Sequence, residues 1–134
     1  MAVLDASVVV ALFSANEPHH AASREWFVRA TAVAEPLIAP VIVLAEVAAA
    51  LSRAKGDPAL AQQVIQLLGQ GGLFELVPIS LALAEQAAAV AISAQIRGCD
   101  AVYVALAQQL NQTLITLDHE QLARGTAVIR VQTP

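Results

Sequence analysis

Three observations predict an α/β fold with a mainly parallel central sheet of about five short strands and helices on both faces. Short apolar runs alternate with helical stretches along the whole chain. The runs are separated by helices, so they cannot be joined as tight antiparallel hairpins. Of the 134 residues, 57% are hydrophobic and only 13% are charged, which suits a core with two covered sheet faces. The length fits one compact domain over residues 1–134, and no repeat, low-complexity tract or linker divides it.

Ala2 to Leu4 reads as a buried strand running into Asp5. A short helix from about Ser7 to Phe13 follows, then a loop at Asn16-Glu17-Pro18 and a helix from about His20 to Ala34. Leu37 to Ala39 makes a second strand, and Val41 to Ala54 forms a helix that stops near Gly56. Asp57-Pro58 starts the next helix, with Asp as N-cap and Pro at the first helical position. It runs through Leu68 and ends at the glycines at 69, 71 and 72. Phe74 to Ile79 is a strand, Ser80 caps a helix to about Gln95, and Arg97-Gly98 breaks it before a helix from Asp100 to Leu110. Thr113 to Leu117 is the clearest strand and ends at Asp118; a short helix to Arg124 and a last strand, Ala127 to Val131, complete the pattern.

Eleven acids against seven bases give a net charge of −4, which argues against holding nucleic acid by bulk electrostatics. If four carboxylates were committed to metal ions, the remaining seven acids would balance the seven bases. No run reaches the ~18 apolar residues of a membrane span, so no membrane is expected as a partner. The single Cys99 excludes an intramolecular disulfide and a zinc-type cysteine framework. The opening residues carry no basic segment ahead of an apolar run. These features predict a reducing, cytoplasmic setting.

Charge is scarce, so its placement is informative. Asp5 is the only Asp, Glu, Lys or Arg among positions 1 to 16, Glu46 the only one from 36 to 52, and Asp100 the only one from 98 to 117. Burying an ionised carboxylate without a partner is expensive, so each needs a reason. Asp5, Asp100 and Asp118 each precede a predicted helix, where an N-cap role contributing about 1 kcal/mol explains any one of them alone. Glu46 breaks that account, because it lies inside a helix beside Ala45 and Val47 with no other charge within a turn. Asp5 and Asp118 both end strands, and a parallel sheet gathers such ends.

Four converging carboxylates repel by roughly 4 kcal/mol per pair at 4 Å with an effective dielectric near 20, so only bound cations or protonation can hold them together. Oxygen-only ligands suit Mg²⁺ or Mn²⁺, whereas zinc asks for His or Cys. A divalent ion so held binds phosphate oxygens and activates water.

The segments carrying these acids resemble the PIN domain family, specifically the VapC-type toxins of bacterial and archaeal toxin–antitoxin pairs. Val3-Leu4-Asp5-Ala6-Ser7-Val8-Val9 is similar to the first motif and Leu44-Ala45-Glu46-Val47 to the second. Arg97-Gly98-Cys99-Asp100-Ala101-Val102-Tyr103-Val104-Ala105-Leu106-Ala107 is similar to the third and most specific, and Thr116-Leu117-Asp118 closes the set. Residues 56 to 96 add only the expected pattern of elements. The resemblance implies a single PIN-like domain and a metal-dependent endoribonuclease in which Asp5, Glu46, Asp100 and Asp118 hold one or two Mg²⁺ or Mn²⁺ ions. Asp5 and Asp100 would contact metal directly and Asp118 directly or through water. Glu46 would support the site or act as general base, while Ser7 and Thr116 would orient carboxylates or water. A homodimer and a cognate antitoxin that covers the site are implied as well.

Other residues carry blander expectations. Trp26-Phe27 reads as core packing, His19-His20 as a surface pair at a helix start, Glu120 as a solvated helix residue and Cys99 as packing; His119 adjoins the site. Among the seven bases, Arg97 lies nearest the acids and is the candidate for RNA contact, with a helix-end role as its plain alternative. Two rival functions remain open: a PIN-like module that binds a partner without turnover, and a different doubly wound enzyme with an acidic pocket. The second is disfavoured because Asp-Ala-Ser, not paired aspartates, follows the first strand.

Overall fold

The computed structural model describes residues 1–134 and contains one five-stranded sheet in the order β3-β2-β1-β4-β5, parallel throughout. β1 (Ala2–Leu4) is central, flanked by β2 (Leu37–Pro40) and β4 (Thr113–Ile115), with β3 (Glu75–Val77) and β5 (Val131–Gln132) at the edges. Val3 stands opposite both Ile38 and Leu114, and all three are buried. A strand covered on both faces must read as a continuous apolar run, and Ala-Val-Leu does.

The helices are α1 (Ala6–Phe13), α2 (His20–Ala32), α3 (Val43–Ala49), α4 (Pro58–Gln70), α5 (Leu81–Ala94), α6 (Gly98–Leu110) and α7 (His119–Arg124). Parallel connections cross over in the right-handed sense. The steps β1 to β2 to β3 run one way across the sheet and β4 to β5 the other, so α1 to α4 cover one face and α5 to α7 the opposite one. The predicted architecture stands.

Local chemistry explains most ends. Asp57 accepts the Leu60 N–H at 3.0 Å with Pro58 in the first turn, and Ser80 accepts the Leu83 N–H at 3.1 Å. Gln95 and Asn111, both left-handed, terminate α5 and α6. Val8-Val9-Val10 is a poor helical run by propensity, yet α1 forms because Asp5 caps it and all three valines are buried.

Several boundaries differ from the sequence reading. α3 is short and continues as a π-helical turn over Ala50–Ala54 instead of running as one α-helix from Val41 to Ala54. Gly69 lies within α4, and only Gly71 and Gly72 end it. The predicted strand from Ala127 to Val131 is displaced: a 3₁₀ turn occupies Gly125–Ala127 and β5 is two residues, because only Val131 and Gln132 reach the β4 edge. α6 begins at Gly98, two residues earlier than expected, so Asp100 sits in its first turn and Arg97 holds the cap position.

α6 is the core helix. Asp100 to Ala107 is buried without interruption, and α6 packs on β1, β2 and β4 beneath α5. No single helix in the chain is long and apolar enough to cross a membrane. Trp26 and Phe27 pack against the core as expected, whereas Cys99 is exposed, because the early start of α6 turns it outward beside the buried Asp100. Leu114, on β4 beside the central strand, is fully buried. Leu114→Ala is expected to cost about 3 kcal/mol and lower Tm by about 10 °C, read from urea unfolding with an unchanged m-value and from a thermal melt.

Candidate active site

In a doubly wound sheet the crevice opens at the carboxyl ends of the strands where the winding direction reverses. Here that point lies between β1 and β4. Asp5 directly follows β1, and Asp118 lies three residues beyond the end of β4.

Asp5 is buried at 4% exposure and caps α1. Its Oδ2 accepts the Ser7 N–H at 3.1 Å, the Ser7 hydroxyl, and the Thr116 hydroxyl at 3.1 Å. Both hydroxyls also accept from the β4 side: Ser7 Oγ takes the Leu117 N–H and Thr116 Oγ1 the Asp118 N–H, each at 3.0 Å. Ser7 and Thr116 therefore stitch the two strand ends together and aim the Asp5 carboxylate, beyond any local backbone bonding. Burial raises the Asp5 pKa above the ordinary carboxylate value, and the hydrogen bonds from Ser7, Gln121 and Thr116 oppose that shift.

Asp100 is also buried, at 6% exposure. The side-chain nitrogen of Gln121 donates to Asp5 Oδ1 and to Asp100 Oδ1, both at 3.1 Å, and so bridges the two acids. Asp100 Oδ2 accepts from Arg97 Nε at 2.8 Å, while Arg97 Nη2 reaches Asp118 Oδ2 at 3.5 Å. Asp118 caps α7 through the Gln121 N–H at 2.9 Å and is partly exposed. The Arg97 guanidinium, itself 70% exposed, is thus committed to two of the acids, and its own pKa is raised by the bond to Asp100. An ion pair that open to water is worth less than about 1 kcal/mol, so a phosphate or a cation can displace it.

Glu46 approaches from the first turn of α3, half-buried, and its Oε2 accepts the hydroxyl of the fully buried Tyr103. Burial raises the Glu46 pKa; the Tyr103 bond lowers it, and the charges of Asp5 and Asp100 add to the rise. The Tyr103 pKa is pushed far above its ordinary value, first by burial and then by that bond, so Tyr103 stays a neutral donor at any working pH.

The fold thus connects the four sequence-selected acids. Asp5, Asp100 and Asp118 are linked through Gln121 and Arg97, and Glu46 feels the charges of Asp5 and Asp100. No three of their carboxylates close on a single ligand position: an amide stands between Asp5 and Asp100, and a guanidinium between Asp100 and Asp118. Gln121 and Tyr103 were missed by sequence reasoning. Both had signals, since Asp118-His119-Glu120-Gln121 has the spacing of a capping box and Tyr103 lies one turn after Asp100. His119 and Glu120 are exposed, with Glu120 4.0 Å from Arg124, and His20 donates to the Ala11 carbonyl at 2.7 Å. A groove of about 640 Å³ between α3 and α4 holds none of the four acids.

Solved structures share this architecture. VapC20 of Mycobacterium tuberculosis, described as a sarcin-ricin loop cleaving toxin, aligns with a TM-score of 0.76 and 19% identity over 92% of this chain and 95% of that one. FitAcB of Neisseria gonorrhoeae aligns with a TM-score of 0.74 and 19% identity over 100% and 98% of the two chains. A toxin–antitoxin complex from Klebsiella pneumoniae aligns at 0.69 and 21% identity, covering 100% and 98%. No curated protein matches the chain in sequence. The family model for the PIN domain matches residues 2–126, a span that takes in all of Asp5, Glu46, Asp100 and Asp118 together with every strand but β5, and the chain therefore belongs to the PIN domain family.

Proposed function

We propose that the protein is a Mg²⁺- or Mn²⁺-dependent endoribonuclease, the toxin of a toxin–antitoxin pair, that hydrolyses RNA phosphodiester bonds at the carboxyl ends of β1 and β4. The observation that carries this reading is the burial of two aspartates, Asp5 and Asp100, both bonded to one amide nitrogen at the topological switch point. The ligating atoms on offer are all carboxylate oxygens without Cys or His, which is the donor chemistry of a hard divalent ion. Asp5 and Asp100 would hold one or two such ions, with Asp118 as a further direct or water-mediated ligand. A bound ion supplies neutralisation of phosphate charge and a lower pKa for water.

The chain's own groups do the rest. Ser7 and Thr116 keep the Asp5 carboxylate turned into the crevice. Glu46 has one oxygen bound by Tyr103, leaving Oε1 to accept a proton from the attacking water, and its raised pKa suits that task. Arg97 is positioned to leave its acids for a phosphate of the RNA. Of the seven bases, Arg29, Lys55, Arg97 and Arg124 already pair with acids, so a second copy of the chain would complete the RNA-binding surface, and the antitoxin would cover it.

The test is incubation of the purified protein with RNA. Cleavage is expected with Mg²⁺ or Mn²⁺ and is expected to vanish with EDTA; cleavage indifferent to EDTA rejects the metal role. A second reading, binding without turnover, is favoured by Arg97 lying across Asp100 and Asp118. It would be upheld by RNA or antitoxin binding without product at any Mn²⁺ concentration.

A further inference from the structure

Gln121 breaks a local rule. It occupies the third position of α7, where the glutamine of a capping box would turn back to the cap residue's N–H. That N–H, on Asp118, is already taken by Thr116 Oγ1 at 3.0 Å, and the Gln121 side chain runs inward instead. It is fully buried, its nitrogen donates to Asp5 Oδ1 and Asp100 Oδ1, and its Oε1 finds no hydrogen-bond donor in the protein.

A half-satisfied buried amide costs roughly 1–3 kcal/mol, so an apolar side chain would serve better here if the position only filled space. The two bonds to the acids are what the amide supplies. Two oxygens that each lie 3.1 Å from one nitrogen are at most about 6 Å apart, and two oxygens on one Mg²⁺ span up to about 4 Å, so an approach of about 2 Å at most seats both on one ion. An apolar side chain in this place would leave two carboxylates facing each other with nothing between them, and they would splay apart.

We infer that Gln121 is a positioning residue whose side-chain N–H groups hold Asp5 and Asp100 at the separation from which they take up one divalent cation. The inference rests on the metal-dependent reading above. Hydrogen bonds to ligating carboxylates typically change metal affinity 10–100-fold, which sets the expected size of the effect.

Gln121→Met preserves length and volume without the amide, and Gln121→Leu is a second apolar variant should the first fold poorly. Mn²⁺ binding to the folded protein, followed by calorimetry and by the EPR signal of free Mn²⁺, is expected to weaken about 10–100-fold in both relative to the unchanged protein. A purely structural role would lower Tm in EDTA and leave the Mn²⁺ Kd of the folded fraction unchanged, which overturns the inference. Tighter binding overturns it as well, since the amide would then be a competitor. If the unchanged protein itself binds no Mn²⁺, the metal-dependent reading falls and takes this inference with it; if it binds and the variants match it, only the inference falls.

Discussion

Asp100→Asn is expected to lower metal-dependent RNA cleavage by at least about 10³-fold and to leave the protein folded. About 4 kcal/mol of transition-state stabilisation corresponds to that factor, a reasonable loss when one of two buried carboxylates facing the crevice becomes neutral. Folding should survive because the amide oxygen still accepts one of the two bonds that Asp100 receives, from Arg97 or from Gln121. The Arg97 it releases is 70% exposed and returns to water, so no unpaired charge is left buried. Asp5→Asn should match it in activity but fold less well, since Asp5 accepts from Ser7, Thr116 and Gln121 together and caps α1. Single-turnover cleavage and circular dichroism decide the matter. Activity of Asp100→Asn within tenfold of the unchanged protein would remove the carboxylates from the mechanism.

Glu46→Gln is expected to separate activity from stability. The variant keeps an oxygen for the Tyr103 hydroxyl but cannot take a proton, so cleavage should drop by about 10²-fold or more. The stability of the metal-free protein moves the other way. Burial and the neighbouring Asp5 and Asp100 raise the Glu46 pKa above its ordinary 4.5, so the folded chain binds this proton more tightly than the unfolded chain. The group's contribution to stability therefore falls as pH rises above 4.5, and the cost is absent in acid below that value. In EDTA, Glu46→Gln should melt above the unchanged protein at pH 7, and the gap should close as pH falls toward 4.5. An equal gap at both pH values would show that Glu46 carries no such penalty.

The two variants probe different layers of what the chain encodes. Element order, the parallel sheet and the isolation of Asp5, Glu46 and Asp100 among apolar residues were legible because each depends on neighbours a few residues away: apolar runs, caps and the spacing of charge. The end of the chain was less legible. A two-residue strand has too little periodicity to read, and its existence depends on the β4 edge it joins.

Asp100 shows how a local signal misleads. An Asp ahead of an apolar helix reads as a cap, but α6 starts two residues earlier, at Gly98, and Asp100 to Ala107 is buried against the sheet. That turns Asp100 inward, makes Arg97 its partner and leaves Cys99 in solvent. Gln121 is the sharper case: it has the spacing from Asp118 of an ordinary capping box, and its inward turn follows from Thr116 occupying the Asp118 N–H first.

The amino-acid order by itself determined which acids stand alone in apolar surroundings and at which strand ends they fall, because burial cost and secondary structure are set by short-range composition. Only the tertiary structure decided what lies between those acids. Gln121 meets Asp5 across 116 positions and Tyr103 meets Glu46 across 57, and contacts at such separations depend on the strand order β3-β2-β1-β4-β5, which short-range pattern does not specify.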